Sequence, residues 1–360
     1  MKIPYLFIFL SFIGYFNLNA QEITLLFAGD AMQHQKQLDA AYRNGKYDYS
    51  SYFQHIQPEI EAADLAVVNL ETTLGGKPYK GYPMFCSPDA FAEALKAAGF
   101  DVFLNANNHI LDRFSKGINR TLNVLDSLNV QHTGVFRDSV ERALHYPLII
   151  EQKGIRIAFL NYTYATNGIE VSPPVVVNYI DTIQMKRDIQ KAKNQFADVI
   201  IANMHWGDEY KLLPNRTQKK LARFLVREGV DIVMGSHPHV VQPSLALSDS
   251  TGQINHLIIY SLGNFVSGMT AVNTDGGQMI KIVLRKQWNH IQIVSCQYSL
   301  IYTARIKNGN YLDYTLIPVL SPVELDEANR FRMKRFSDNA RKSFEENNRG
   351  VFEDQHSVKH

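Results

Sequence analysis

Five short apolar runs, each ending in side chains of the kind that ligate metals, constrain this chain more than anything else in it. Residues 24–28 lead into Gly29-Asp30, residues 65–68 into Asn69-Leu70-Glu71, and residues 102–104 into Asn105-Ala106-Asn107-Asn108-His109. Residues 199–202 lead into Asn203-Met204-His205-Trp206-Gly207, and residues 231–234 into Gly235-Ser236-His237-Pro238-His239. Runs this short, with β-branched and aromatic content, read as buried strands. In open α/β sheets, sites form just beyond the carboxyl ends of such strands. Asp, Glu, Asn and several His would then converge on one rim, which is the inventory of a dinuclear metal centre.

Taken singly, the clusters carry unequal weight. Asp30 follows a strand and a glycine, so its carboxylate can leave the sheet without a bulky predecessor, although Gly-Asp also occurs in ordinary turns. Glu71 can offer one oxygen to each of two cations, or cap the turn that follows it. Asn108 presents a neutral carbonyl oxygen, His109 beside it can reach over a substrate as an acid, and Asp112 can fix the imidazole tautomer. Asn-rich turns also occur without any such role. His205 closes the most continuous apolar run. His237-Pro238-His239 is the strongest element, because the proline fixes the backbone between two imidazoles that can reach neighbouring cations. Other chemistries lack their signatures: the chain has no Gly-rich phosphate loop, no Gly-x-Ser-x-Gly elbow, and no evident base beside Cys86.

Lys2 precedes a largely apolar stretch, residues 3–18, that ends Leu18-Asn19-Ala20 before Gln21-Glu22. It reads as an export signal cleaved after Ala20 rather than an anchor, being short for a span and containing Pro4, Ser11 and Gly14. The mature protein is therefore expected in the periplasm or at the cell surface. A formal net charge of +2, with Lys and Arg scattered among acids, gives no electrostatic case for nucleic acid. Cys86 and Cys296 could pair in an exported protein or stay as two buried thiols, and two cysteines make no disulfide framework.

Helices are expected over residues 56–63, from Ser87 as N-cap and Pro88 at the first helical position to a stop at Gly99, and over 116–128, 182–196 and 215–228. Residues 148–151 and 155–161 read as a hairpin, and further strands are expected at 256–261, 278–284 and 291–300. Residues 75–83 and 162–174 read as loops, the first overhanging the site. A charged helix over 326–347 and a frayed tail from Asn348 close the chain. Helices alternating with strands early, and strands in succession late, predict an α/β fold with a mixed sheet or two stacked sheets flanked by helices. The expected organisation is an export signal at 1–20, one domain over 21–305, and a C-terminal extension over 306–360.

Six ordered motifs then match a known pattern. Gly29-Asp30-Ala31-Met32, Asn69-Leu70-Glu71, Ala106-Asn107-Asn108-His109 with Asp112, His205-Trp206-Gly207 with Glu209-Tyr210, Gly235-Ser236-His237-Pro238-His239-Val240 with Gln242-Pro243, and Tyr260-Ser261-Leu262-Gly263-Asn264-Phe265 resemble the CapA family over about residues 24–285. That family is named for capsule, or poly-γ-glutamate, synthesis and is similar to calcineurin-like metallophosphoesterases. The resemblance implies a metallophosphatase-like four-layer sandwich, two mixed β-sheets flanked by helices. It implies two divalent metal ions (Mn, Fe or Zn), with Asp30 and His239 on the first, Asn108, His205 and His237 on the second, and Glu71 bridging. His109 would protonate the leaving group, positioned by Asp112. His34, Glu209 and Asn264 are further candidates. Met32 stands where the phosphoesterase pattern has His, and Glu71 where it has Asp. The first site is therefore expected to be weaker, or completed by water or His34, since a thioether does not suit a hard cation.

The function so implied is an exported dinuclear hydrolase of capsule or poly-γ-glutamate synthesis or processing. It would act on an anionic envelope polymer or a phosphoester through a hydroxide shared by the cations, with a membrane synthesis or export complex as a further partner. The alternative is a polymer-binding accessory of such a complex, without turnover. Tyr79, Tyr82, Trp206, Tyr210 and Phe265 are candidate cleft walls, and Lys77, Lys80 and Arg113 candidate contacts for substrate carboxylates.

Overall fold

In a computed structural model of the protein, which describes residues 21–288, 290–308 and 311–355, strand alternation decides the layering. The expected export signal lies outside the described residues. On the strand Gln21–Ala31, Ile23, Leu25 and Phe27 bury one face and Leu26 and Ala28 the other. The strand Ile155–Thr163 does the same, with Ile155, Ile157 and Phe159 on one side and Ala158, Leu160 and Tyr162 on the other. Both strands are buried on both faces, which is why their sequences read as continuous apolar runs.

The hydrogen-bonded sheet folds into two leaves. One runs Gln131–Thr133, Val102–Leu104, Leu65–Leu70, Gln21–Ala31, Gly276–Gln287, His290–Asn308, parallel among the first four and antiparallel after. The other runs Ile254–Leu262, Ile232–Ser236, Val199–His205, Ile155–Thr163, Leu148–Gln152, antiparallel only at the last pair. The expected hairpin is that last pair. Ile254 pairs with Ile293 and joins the leaves, so the two mixed sheets that were expected form one continuous hydrogen-bonded network.

Inward faces of both leaves share one cluster, including Leu25, Phe27, Ile157 and Ile201. Outward faces are covered by the helices Asp89–Ala97 and Phe114–Ser127 on one leaf, and Thr182–Asn194 and Arg216–Glu228 on the other. The order helix, sheet, sheet, helix follows. Arg216–Glu228 begins where Asn215 accepts from the Gln218 backbone N–H while the Gln218 side chain accepts from that of Asn215, and it ends at Gly229 with φ +98°. At Asp89–Ala97 the N-cap is Pro88 rather than Ser87, whose hydroxyl instead meets that of Thr72 at 2.8 Å.

The leaves meet at two glycines. Gly263, at φ +70°, carries the chain from Ile254–Leu262 on one leaf to Asn264–Val266, which pairs in parallel with Asp30 and Ala31 on the other. A Cβ at Gly29 would lie 2.0 Å from the Gly263 carbonyl oxygen. Gly29→Ala should therefore push the leaves apart beside Asp30 and cost about 3 kcal/mol, read as a lowered midpoint in thermal denaturation.

The boundary expected at residue 305 falls inside His290–Asn308, and Tyr311–Pro318 pairs antiparallel with that strand. The helix Glu327–Asn347 seats Phe336, Ala340 and Phe344 on the inter-leaf cluster. Residues 348–355 do not fray: Arg349 exchanges backbone hydrogen bonds with Ser244 and Ala246, Val351 is buried, and Phe352–Glu353 pairs with Gln297 and Tyr298. The remainder of the expected tail, 356–360, lies outside the described residues. Cys86 and Cys296 are both buried free thiols. No helix among the described residues is long and apolar enough to cross a membrane.

Candidate metal centre

Because the strands bearing the motifs run parallel within each leaf, their carboxyl ends share one edge, and the crossing at Gly263 brings the two edges together. Asp30, fully buried, accepts from Asn69 Nδ2 at 2.8 Å on Oδ1 and from the His237 backbone N–H at 3.2 Å on Oδ2. His239 Nδ1 lies 3.1 Å from Asp30 Oδ2 and 3.1 Å from Asn264 Oδ1. Two acceptors about one nitrogen assign it the proton and leave Nε2 as the lone pair, 3.9 Å from Glu71 Oε1. From the other leaf, His205 Nε2 lies 2.8 Å from Asn108 Oδ1 and 3.6 Å from Glu71 Oε1. His237 and His239 both take positive φ, +98° and +58°, a strained backbone of the kind that clusters at functional sites.

Three groups of ligand atoms lie within 4.8 Å of one another: Asp30–Glu71–His239, Glu71–His205–His237 and Glu209–His237–His239. The two buried groups share Glu71. Asn108 joins them through His205, with its own Nδ2 donating to Asn167 Oδ1 at 3.1 Å. His34 is in none of these groups. Its Nδ1 accepts from the Gly268 N–H at 3.2 Å, and its ring meets Phe85 edge-on. Asn264 stands behind His239, with Nδ2 donating to Thr274 O at 3.0 Å. Met32 is buried, its backbone N–H donating to Val266 O at 2.8 Å.

The electrostatics ask for cations. Both oxygens of Glu71 are buried without a hydrogen bond, as is His237 Nδ1. Burial, then repulsion from Asp30, pushes the Glu71 carboxyl well above the usual range. Burial works upward on Asp30 too, but the hydrogen bond and electrostatic attraction of His239, with the Asn69 hydrogen bond, outweigh it and hold that carboxyl low. Burial drives His205 far down, and burial with the neighbouring His239 lowers His237 to about 3. Those two imidazoles are neutral at pH 7, their lone pairs available. Among the described residues, Asp30 and Glu71 form ion pairs with histidines alone. A buried carboxylate normally has a paired cation or a coordinated metal, so the donor set fits divalent ions.

Beside this cluster, His109 is buried with Nδ1 2.7 Å from Asp112 Oδ2, and the same oxygen accepts from the Phe85 N–H at 2.6 Å. Phe85 packs edge-on against the imidazole, centroids 4.6 Å apart. The turn carrying His109 is tied to the opposite leaf by Asn161 Oδ1, which accepts from the Asn105 and Ala106 N–H groups at 3.1 and 2.7 Å.

Asn69, Asn161, Asn167 and Tyr164 are parts of the site that sequence reasoning missed. Asn69 lies inside a recognised motif, so its position was a usable signal. Asn167 and Tyr164 lie in the loop after residue 161, where no periodicity marks them. Tyr164, 44% exposed, sets its ring 4.5 Å from that of His237 and nearly parallel to that of His205. Two expected cleft walls are core instead. Trp206 is buried with Nε1 donating to Tyr260 O at 3.0 Å, and Phe265 is buried and stacks on Phe53. Tyr82 and Tyr210 are exposed, Tyr79 packs on Tyr47, and Arg113 donates to Pro78 O at 2.7 Å, which secures the overhanging loop.

Residues 24–269 match the protein family described as "Bacterial capsule synthesis protein PGA_cap". The capsule biosynthesis protein CapA of Bacillus anthracis is 27% identical over 285 residues, covering 74% of this chain and 64% of that protein. The PGA biosynthesis protein CapA of Bacillus subtilis (strain 168) is 29% identical over 269 residues, covering 72% of this chain and 67% of that protein. The chain thus spans about two thirds of the length of the curated relatives it matches. Among solved structures, the Haemophilus influenzae NAD nucleotidase (NadN) is similar with a TM-score of 0.51 at 15% identity, covering 94% of this chain and 65% of that one. That likeness is one of fold.

Proposed function

Since the chain belongs to the family of bacterial capsule synthesis proteins, PGA_cap, we propose that it is an exported dinuclear metal-dependent hydrolase. It works in capsule or poly-γ-glutamate synthesis or processing, on an anionic cell-envelope polymer or a phosphoester. The observation that carries this reading is Glu71, a fully buried carboxylate with no hydrogen bond, shared by two groups of ligand atoms. Asp30 and His239 would hold one cation and Asn108, His205 and His237 the other, with Glu71 available to both. The cations, when bound, supply Lewis-acid polarisation of the scissile group and lower the pKa of water.

The rest falls to the chain itself. Asn69 aims Asp30, and Asn108 faces His205. Asp112 engages His109 at Nδ1, so Nε2 is the nitrogen that hands a proton to the leaving group. Tyr164 lies over His237 and His205 and limits their access to water. His, Asn and carboxylate donors suit Mn, Fe and Zn alike. Export rests on the apolar stretch at residues 3–18.

Removing metal with a chelator should abolish hydrolysis of bis(p-nitrophenyl) phosphate or of a γ-glutamyl oligomer, and added Mn²⁺ should restore it. His205→Ala should lower bound metal and turnover together, the latter by about a hundred-fold or more. A second reading is favoured by the printed names of the two Bacillus relatives, which speak of biosynthesis: an accessory that binds polymer, or a membrane synthesis or export complex, without turnover. It predicts that His205→Ala and His237→Ala leave polymer output intact in a capsule-forming host.

A further inference from the structure

The two buried groups of ligand atoms leave the solvent side of the centre to Glu209. Its carboxylate forms a third group with His237 and His239. His237 belongs also with Glu71 and His205, and His239 with Asp30 and Glu71. Glu209 therefore takes one imidazole from each buried group, much as Glu71 takes part in both. Unlike Glu71, it is exposed.

The loop that carries Glu209 is held from several directions. Gly207 takes φ +95° and sits so close to Gln218 that a Cβ there would lie 2.7 Å from its side chain. Tyr210, at φ +65°, donates its N–H to Pro238 O at 2.9 Å, inside the His237-Pro238-His239 turn itself. Asp208 Oδ2 accepts from Asn215 Nδ2 at 2.8 Å, and Lys211 O accepts from Gln242 Nε2 at 2.7 Å. The positive φ at Tyr210 is backbone strain of the kind that gathers at functional sites, and its bond joins the loop to the turn that presents both imidazoles.

We infer that Glu209 is a third carboxylate ligand of the dinuclear centre, reaching both cation positions from the rim while Glu71 spans them from the buried side. This deepens the hydrolase reading and rests on its dinuclear site. It adds a hard oxygen donor to the set, where Met32, a thioether, would give a hard cation little. A third hard oxygen donor also tilts the set toward Mn²⁺, which carboxylate ligands suit.

The test is calorimetric titration of Mn²⁺ into the chelator-stripped protein, with Glu209→Gln and Glu209→Asp beside the wild type. Wild type should take up two equivalents. Glu209→Gln should lose about ten-fold or more in affinity in at least one binding event, and Glu209→Asp, which keeps the charge one methylene short, should fall between. Metal-free melting temperatures should coincide, since the side chain is exposed and the substitution isosteric. A Glu209→Gln isotherm that superimposes on the wild type overturns the inference and leaves the hydrolase reading standing. A wild type that takes up no Mn²⁺ overturns the dinuclear site itself, and the wild-type isotherm tells the two failures apart.

Discussion

Glu71→Gln should act in opposite directions on the two forms of this protein, stabilising it without metal and disabling it with metal. The carboxylate is fully buried, neither oxygen has a hydrogen bond, and Asp30 repels it. Its carboxyl is raised in the folded state, so the folded protein holds the proton more tightly than the unfolded chain does. The stability that goes with that proton is present below the ordinary carboxylate range and is lost as pH rises through the raised value. At pH 7 the stripped wild type is therefore less stable than at pH 4 by this contribution. An isosteric amide carries no charge to desolvate, and its N–H₂ can donate to the neighbouring carboxylate. Stripped Glu71→Gln should gain about 1–3 kcal/mol at pH 7, with the gain shrinking toward pH 4. In the metal-loaded protein proposed above, the same change would take away the ligand the two cations share, and turnover should fall by about a thousand-fold. Melting curves of stripped and Mn²⁺-loaded protein at both pH values check both halves. A stripped variant that melts below wild type at pH 7 would mean Glu71 already has a partner.

The strands that build this centre were legible because burial on both faces leaves a mark in sequence: an apolar run that stops where the ligands begin. Val102–Leu104 matches its reading, and Leu65–Leu70 and Val199–His205 differ from theirs only by running on into the motif. Strands buried along only part of their length left no such mark. Val241–Ser248 passes from buried to exposed, and Tyr311–Pro318 from exposed to buried. Neither was anticipated, and the second is why the C-terminal segment read as an extension. The candidate ligands stand out because they sit at fixed offsets from strand ends. The asparagines that aim them were harder, because what identifies Asn161 is a contact between leaves 55 residues apart in sequence, which no local pattern encodes. Trp206 was misplaced for a related reason. An aromatic beside a ligand can face the cleft or the core, and only the carbonyl of Tyr260, waiting for its indole N–H, decides.

His109→Gln separates proton donation from every other role at the site, because only proton donation depends on what leaves. An alkoxide or an amine departs poorly without a proton, whereas p-nitrophenolate needs little help. With an alkyl phosphoester or a γ-glutamyl amide, His109→Gln should lower kcat by about a thousand-fold. With bis(p-nitrophenyl) phosphate the loss should be about ten-fold or less, reflecting position alone. Metal content should not change, since His109 belongs to none of the three groups of ligand atoms. Asp112→Asn should follow the same pattern at smaller amplitude, about a hundred-fold on the poor leaving groups. That carboxyl is raised by burial, against the pull of His109 and the Phe85 N–H, so its charge is kept only by the groups it orients. An amide in its place can present its N–H₂ to Nδ1 and favour the wrong tautomer. If His109→Gln instead slowed every substrate by the same factor, the imidazole would be placing the substrate rather than protonating it. The hydrolase reading would then need another acid, and the candidate already beside Phe85 is His34, its Nδ1 occupied by the Gly268 N–H and its pKa lowered by burial to about 4. A ring that sheds its proton so readily is a poor reservoir at pH 7, which is the physical reason to expect the leaving-group dependence to fall on His109.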